Sequence, residues 1–456
     1  MRARRWLPAL LVCLPAALVA ALAWVTIGFL PVREAVGGPF DRATLTPLQL
    51  LERSGARWGT TWSTFGASPA RTRYVPSALR PPFRLLYRIP GRSLIEMPPA
   101  VTDSHVVFGT HDGEVVAARV EDGSRAWETS IGGCIASAPA VRGDVVYVGW
   151  AGPAPCGLPK DGRGGIVALS LATGELLWRF SPGNVESSPA VVGDLLVFAA
   201  FESRRASRVF ALSLTPPRRV VWSYPLASKV ASSPTVVGRT LYVGAYDRQL
   251  YAFDVRTGRL RWTAGAFTVD AEARLLLGLR SLVSRSSWTE GGYYATPAAA
   301  YNRVYVGVID GVFSAFDART GSLRWSRVLD GSIYGSAAVW NEHVYVGTTA
   351  GAFYALSARD GRVLWQRDLG GKILGSPTVS NRRVYVSTTR RETWVLFART
   401  GEVDWRFADG YYSPLVVAGE RAYLVGKGRI YALANAPGER AAVATTPAPR
   451  RLQSAG

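Results

Sequence analysis

Two carboxylates and three phenols recur at one position of a repeating pattern. Glu96, Glu186, Tyr294, Tyr334 and Tyr411 each stand three residues before the proline, or the alanine in its place, of a small-Pro-x-Val segment. Ala136, Ala231 and Leu374 hold the same position in the other copies. If the pattern sets these positions around one axis, carboxylates able to hold a hard cation converge with hydrogen-bonding phenols in a concavity, the usual setting for a ligand. A rim of solvated side chains and packing tyrosines is the plainer reading. Other chemistry is thinly supplied. His105, His111 and His343 fall at or beside strands of different units without a metal spacing. No glycine-rich phosphate loop or nucleophile elbow is present.

The elements that must position these residues come from a repeat. Ala252-Phe-Asp-Val-Arg-Thr-Gly-Arg-Leu-Arg-Trp262 returns as Ala315-Phe-Asp-Ala-Arg-Thr-Gly-Ser-Leu-Arg-Trp325 and Ala355-Leu-Ser-Ala-Arg-Asp-Gly-Arg-Val-Leu-Trp365. Weaker copies end at Trp127, Trp178, Trp222 and Trp405. Each unit supplies four short strands, a to d: Pro-x-Val on a, an alternating Val-Tyr-Val-Gly type on b, Tyr-Ala-x-Asp on c, and tryptophan on d. Asp-Gly and Thr-Gly pairs mark the turns. Four antiparallel strands at a period near forty residues predict an all-β propeller.

The a strands begin at Pro99, Pro139, Pro189, Pro234, Pro297, Ala337, Pro377 and Pro414, giving eight blades against seven tryptophans. The last unit lacks a d strand, whereas Phe83 to Pro90 is a strand with no unit of its own. Tyr87 in it lies one repeat before Trp127. Closure of the ring by 83–90 is therefore expected, and it removes exposed sheet edges. The tryptophans read as wedges between blades, each ring filling space while its N–H meets a carbonyl; stacking platforms for a ligand are the alternative.

From Tyr87 onward the ends are spaced 40, 51, 44, 40, 63, 40 and 40 residues apart. The excess lies at 150–165, between strands b and c of the second unit, and at about 268–292, between d of the fourth and a of the fifth. Both connections leave from one face of the disc, the face that holds the proposed mouth. Cys134 lies there too, so a Cys134–Cys156 disulfide would pin the first insertion. Asp270 to Val283 carries Leu275, Leu276, Leu279, Leu282 and Val283 at helical spacing, a short helix that packs on the domain or presents itself to a partner.

Trp6 to Leu30 is an uncharged, mainly apolar run behind Arg2, Arg4 and Arg5. It is long enough to cross a bilayer, with the arginines held in the cytoplasm; cleavage near Ala21-Leu22-Ala23 is the rival. Cys13 is read as a residue of this helix. Either way the rest is exported to a compartment where a disulfide persists. The organisation expected is tip and anchor 1–30, linker and extension 31–82, propeller 83–434 and a disordered tail 435–456. The formal charge of +20 is nearly all arginine, scattered through turns without a basic run. It reads as solvated surface and attraction to an anionic envelope, with no nucleic-acid partner expected.

The Ala-x-Asp-x-x-Thr-Gly-x-x-x-Trp unit resembles the tryptophan-docking repeat of the pyrroloquinoline-quinone propeller superfamily over about Arg57 to Ala434. That superfamily includes quinoprotein alcohol and glucose dehydrogenases and the B-type lipoprotein of the outer-membrane β-barrel assembly machinery. With its Arg-rich composition, Trp62-Ser-Thr-Phe-Gly and Ser93-Leu-Ile-Glu-Met-Pro-Pro-Ala-Val101, the chain also resembles envelope propellers of high-GC Gram-positive bacteria. The dehydrogenase resemblance would imply a disulfide of adjacent cysteines, a cation held by Glu, Asn and Asp, and a catalytic aspartate. This chain has no adjacent cysteine pair and no Asn and Asp partners for Glu96 and Glu186 in the ring, so no cofactor residue transfers and neither quinone nor metal is expected. Fold alone does not give function. The expectation is a non-catalytic envelope scaffold working through its insertion-bearing face with a protein partner. The alternatives are a quinone- or metal-dependent oxidoreductase and a sensor of a small ligand in the axial pocket.

Overall fold

A computed structural model describes residues 45–53, 61–157, 162–203, 205–265, 292–412 and 415–436. The anticipated span 6–30, the helix 270–283 with nearly all of the second insertion, Pro414 and the tail 437–456 lie outside the described residues. Among the described residues no helix is long and apolar enough to cross a membrane.

Eight antiparallel sheets form the blades of an all-β propeller. Blade 1 runs from Ala100–Val101 to Arg125–Ser130, and the last begins at Val416–Ala418. That last blade receives its fourth strand from the far end of the domain. Phe83–Pro90 pairs antiparallel with Arg429–Asn435, from Phe83 opposite Asn435 to Pro90 opposite Arg429.

One cross-strand pair explains the repeated Ala…Trp spacing. Ala117 faces Trp127, Ala252 faces Trp262, Ala315 faces Trp325 and Ala355 faces Trp365, each followed by a bulge. The small residue leaves room for the indole, and the bulge re-aims the strand. Tyr87 faces Ala432 beside the same irregularity, so it occupies the eighth docking position. The indole N–H of Trp127 donates to Leu171 O at 2.7 Å, that of Trp222 to Val255 O at 2.8 Å, and those of Trp325 and Trp365 to Ala358 O and Ala398 O at 3.1 and 3.0 Å. Each bond ties one blade to the next. The expected pattern is not uniform. Trp262 Nε1 is buried without a partner among the described residues. Trp178 meets the Arg218 guanidinium, 5.4 Å above its ring, because Arg218 stands four residues before Trp222, where other blades have the turn glycine. Trp405 packs edge-on against Phe83 of the closing strand at 5.3 Å.

The Ser-Ser-Pro sequences before the a strands hold the inner wall. The first serine brackets its own b strand: Ser187 Oγ donates to Ala199 O at 3.0 Å and accepts from Ala199 N–H at 2.9 Å, and Ser232 does the same with Gly244. The second joins blades. Ala138 N–H donates to Ser188 Oγ, Ser188 N–H to Ser233 Oγ, Ser233 N–H to Thr296 Oγ1, Thr296 N–H to Ser336 Oγ and Ser336 N–H to Ser376 Oγ, all within 2.9–3.1 Å. At roughly 1 kcal/mol net per bond, this belt fixes the radius of the channel.

Residues 61–75 enter the core, a role the reading of 31–82 as linker and extension does not include. Their carbonyls accept the backbone N–H of an a strand blade by blade: Trp62 O from Val101, Ser63 O from Val141, Pro69 O from Val236, Ala70 O from Ala299, Thr72 O from Val339 and Arg73 O from Val379, at 2.8–3.0 Å. The segment thus crosses one mouth of the channel and satisfies the inner sheet edges there. Arg71 and Arg73, at φ 58 and 55, turn their side chains into the protein, where both are fully buried.

Candidate functional site

The other mouth of the channel is a cup of about 500 Å³. Seven of the eight positions three residues before an a strand line it: Glu96, Ala136, Glu186, Ala231, Tyr294, Tyr334 and Leu374. Blade 8 departs from the sequence reading, since Tyr412 lines the cup and Tyr411 does not. Tyr411 instead packs edge-on against Tyr412, with ring centroids 4.3 Å apart. The repeat counts Tyr411 from Pro414, and that proline lies outside the described residues. Phe65, from the segment across the far mouth, forms the floor, and Ser233, Thr296, Ser336 and Ser376 of the hydroxyl belt stand in the wall.

The two carboxylates are held by partners that the sequence reading did not assign. Glu96 Oε2 lies 2.8 Å from His111 Nε2, and Glu186 Oε2 2.8 Å from Lys229 Nζ. Lys229 is further seated over the rings of Phe201 at 4.4 Å and Tyr246 at 5.5 Å. Lys372 lines the opposite wall. The sequence holds only Lys160, Lys229, Lys372 and Lys427 among 53 basic residues, so two of the four lysines stand in or beside the cup. That rarity was the available signal.

The phenols stay protonated. Surrounding protein, then the charges of Glu96 and Glu186, pushes Tyr294 well above the usual tyrosine range. Tyr412 is pushed up to about 12 by burial, by Tyr411 and by Glu96. Tyr294 and Tyr334 make a T-shaped pair at 5.5 Å. The cup therefore offers neutral hydroxyl donors, aromatic edges and two carboxylates already engaged in pairs, which suits binding more than proton transfer.

Cys134 and Cys156 form a disulfide with Cα atoms 4.8 Å apart. The first insertion begins as strand, since Val145–Pro153 continues past the repeat length and Gly133–Cys134 pairs along it. Cys156 N–H donates to His111 O at 2.9 Å, so the disulfide-held loop touches the residue that holds Glu96. A larger hollow of about 670 Å³ opens on the opposite face, between Thr61–Thr64 and the turns at Thr102–Ser104 and Arg142–Asp144. It has no aromatic wall.

The quinone-and-cation chemistry of related dehydrogenases requires a donor set that can be tested against these residues. Among the described residues no three His, Cys, Asp or Glu side chains converge as a metal group. The single disulfide joins cysteines 22 residues apart, and Glu96 and Glu186 face His111 and Lys229. The set does not fit.

A family model described as outer membrane protein assembly factor BamB matches residues 52–163, 162–274 and 310–454. The BamB of Yersinia pestis is 29% identical over 190 residues, covering 37% of this chain and 44% of that protein. A 1-butanol dehydrogenase (cytochrome c) of Thauera butanivorans is 34% identical over 113 residues, covering 24% of this chain and 14% of that protein. The matched stretches thus span less than half the length of these relatives. Among solved structures, Moraxella catarrhalis BamB superposes with a TM-score of 0.61 at 18% identity, over 77% of this chain and 99% of that one. Comamonas testosteroni quinohemoprotein alcohol dehydrogenase gives 0.67 at 14%, over 84% and 81%. These two likenesses establish the fold alone.

Proposed function

This chain belongs to the family described as outer membrane protein assembly factor BamB, and from that premise we propose that it is a non-catalytic interaction scaffold of the cell envelope. Its working surface is the face bearing the cup and the insertions at 150–165 and 268–292, and its partner is an envelope protein. Residues 6–30 anchor it in the cytoplasmic membrane with the propeller outside. The family match, which extends over most of the repeats, carries this reading. The Cys134–Cys156 disulfide supports export, because such bonds persist in oxidising compartments. The engaged state of Glu96 and Glu186 supports a binding role over a catalytic one.

Photo-crosslinking in intact cells tests it. A crosslinker at Asp112 or Glu202, both exposed next to b–c connections of the cup face, should trap one defined envelope protein, whereas one at Glu402, on the opposite face, should not. Equal labelling from both faces would remove the assignment of a working surface.

The second reading is a quinone-dependent oxidoreductase, favoured by the likeness to the butanol dehydrogenase. A stoichiometric chromophore with dye-linked alcohol oxidation, after incubation with quinone and calcium, would replace the scaffold reading.

A further inference from the structure

Arg71 and Arg73 share burial and charge but differ in how they are satisfied. Both are wholly buried beneath the floor of the cup, with guanidinium carbons 5.5 and 4.8 Å from the Phe65 ring centre. Arg71 is saturated. Its Nε donates to Pro234 O at 3.0 Å, its Nη1 to Thr64 Oγ1 at 3.0 Å and to Phe65 O, and its Nη2 to Ser188 O and Pro189 O at 3.4 Å. Arg73 makes one such bond, from Nε to Pro377 O at 2.8 Å. Its Nη1 and Nη2 have no partner among the described residues, and neither does the buried Oγ1 of Thr378, the next residue after that acceptor.

A buried guanidinium with two unpartnered nitrogens, four N–H donors in all, is costly, because an interior charge requires a counter-charge and hydrogen bonds. Burial, and for Arg73 also repulsion by Arg71, lowers both groups to about 9, so they remain cations at neutral pH. Arg71 thus acts on Arg73 as a like charge. The geometry of the unmet donors narrows what can complete them. With Nε occupied, the free edge of the fork is its Nη1–Nη2 end, two parallel N–H groups that match a pair of oxygens on one carboxylate or phosphate.

The position adjoins the cup. Phe65 lines the cup and lies against Arg73, and Ser376, which precedes the acceptor Pro377, is in the cup wall with Lys372. Phe65 is thus the side chain that separates the cup from the terminal nitrogens of Arg73. We infer that the deep end of the cup, behind Phe65, is a site for an oxyanion group held by the terminal nitrogens of Arg73, with the cup accommodating the rest of the molecule that bears it. The site goes beyond the scaffold role, which requires no small ligand.

The purified full-length protein would be titrated with sodium phosphate and, separately, sodium acetate at constant ionic strength, following calorimetric heat and thermal unfolding. The wild type should show saturable binding of at least one oxyanion; which one binds separates a phosphate from a carboxylate ligand. Arg73→Gln should weaken binding at least ten-fold while keeping the β circular-dichroism spectrum, and Phe65→Ala should retain it. No saturable response from the wild type, or an equal response from Arg73→Gln, overturns the site. If Arg73→Gln does not fold, crystals of the wild type soaked in selenate decide the matter. An anomalous peak within hydrogen-bonding distance of Arg73 Nη1 and Nη2 is expected, and water alone there refutes it.

Discussion

Gly123 lies against the ring of Tyr87, so that a Cβ on the glycine would run into the ring. The contact joins blade 1 to the strand that closes the circle, and it repeats at every regular junction: Gly174 on Trp127, Gly258 on Trp222, Gly321 on Trp262, Gly361 on Trp325 and Gly401 on Trp365. The repeated Gly-x-x-x-Trp is therefore two halves of different contacts. Each glycine serves the ring of the preceding blade, and each tryptophan awaits the glycine of the next.

Gly361→Ala should destabilise the domain by about 2–4 kcal/mol, combining overpacking with a left-handed backbone. Its φ is +71, and a Cβ would come within 2.5 Å of the Trp325 ring. Gly143→Ala is the control, because its φ of +55 is equally left-handed but no atom lies within 4 Å; it should cost about 1 kcal/mol. Urea unfolding of both variants checks this, and equal losses would show that the ring contact contributes nothing.

Tyr87→Ala should cost about 3 kcal/mol by opening a void at the closing junction. Tyr87→Phe should cost about 1 kcal/mol or less. The Tyr87 hydroxyl donates to Val120 O, but Arg421 Nη1 donates to that carbonyl too and keeps it satisfied. The ordering of thermal midpoints tests the assignment of Tyr87 as the eighth wedge.

Asp254 should contribute to acid sensitivity. Burial alone would raise its carboxyl, but the hydrogen bond from Arg261 Nη2 at 2.6 Å and the amides of Arg256 and Thr257 bring it down to about 2. A folded pKa below the unfolded value of about 3.9 gives stability that is present above pH 4 and lost as pH falls towards 2. Asp254→Asn should therefore flatten the loss of stability between about pH 4 and 2, as measured by urea midpoints across that range. An unchanged slope would reject it.

Replacing Cys134 and Cys156 by serine should lower stability by about 2–4 kcal/mol under oxidising conditions. It should also raise amide exchange at Cys156, whose N–H is bonded to His111 O. Exchange that rises only elsewhere would separate the disulfide from the cup.

Much of the ring was legible because its contacts are encoded within one period. The alanine, glycine and tryptophan spacing, the eight strand starts and the orphan strand at 83–90 specify blades and closure through alternation and turn chemistry. All six turn glycines that cover a ring stand four residues before a tryptophan, the spacing the repeat displays. Glu96, Glu186, Tyr294 and Tyr334 were found for the same reason, since a fixed offset from an a strand becomes a fixed height in the channel. Tyr411 yields its place to Tyr412 where the last blade leaves that pattern.

What lay outside the period came only from the tertiary structure. His111 meets Glu96 across 15 residues, Lys229 meets Glu186 across 43, and Arg73 reaches Pro377 across 304. No local periodicity specifies such pairs, because the loops within a blade, the packing of neighbouring blades and the segment crossing the channel set their separations. The same holds for residues 61–75, whose sequence has no strand pattern. They are ordered by the donors that the a strands present once the circle has formed. The sequence determined a propeller and the height of its mouth, whereas the packing of loops and blades in three dimensions decided which charges face one another and left Arg73 beneath the floor.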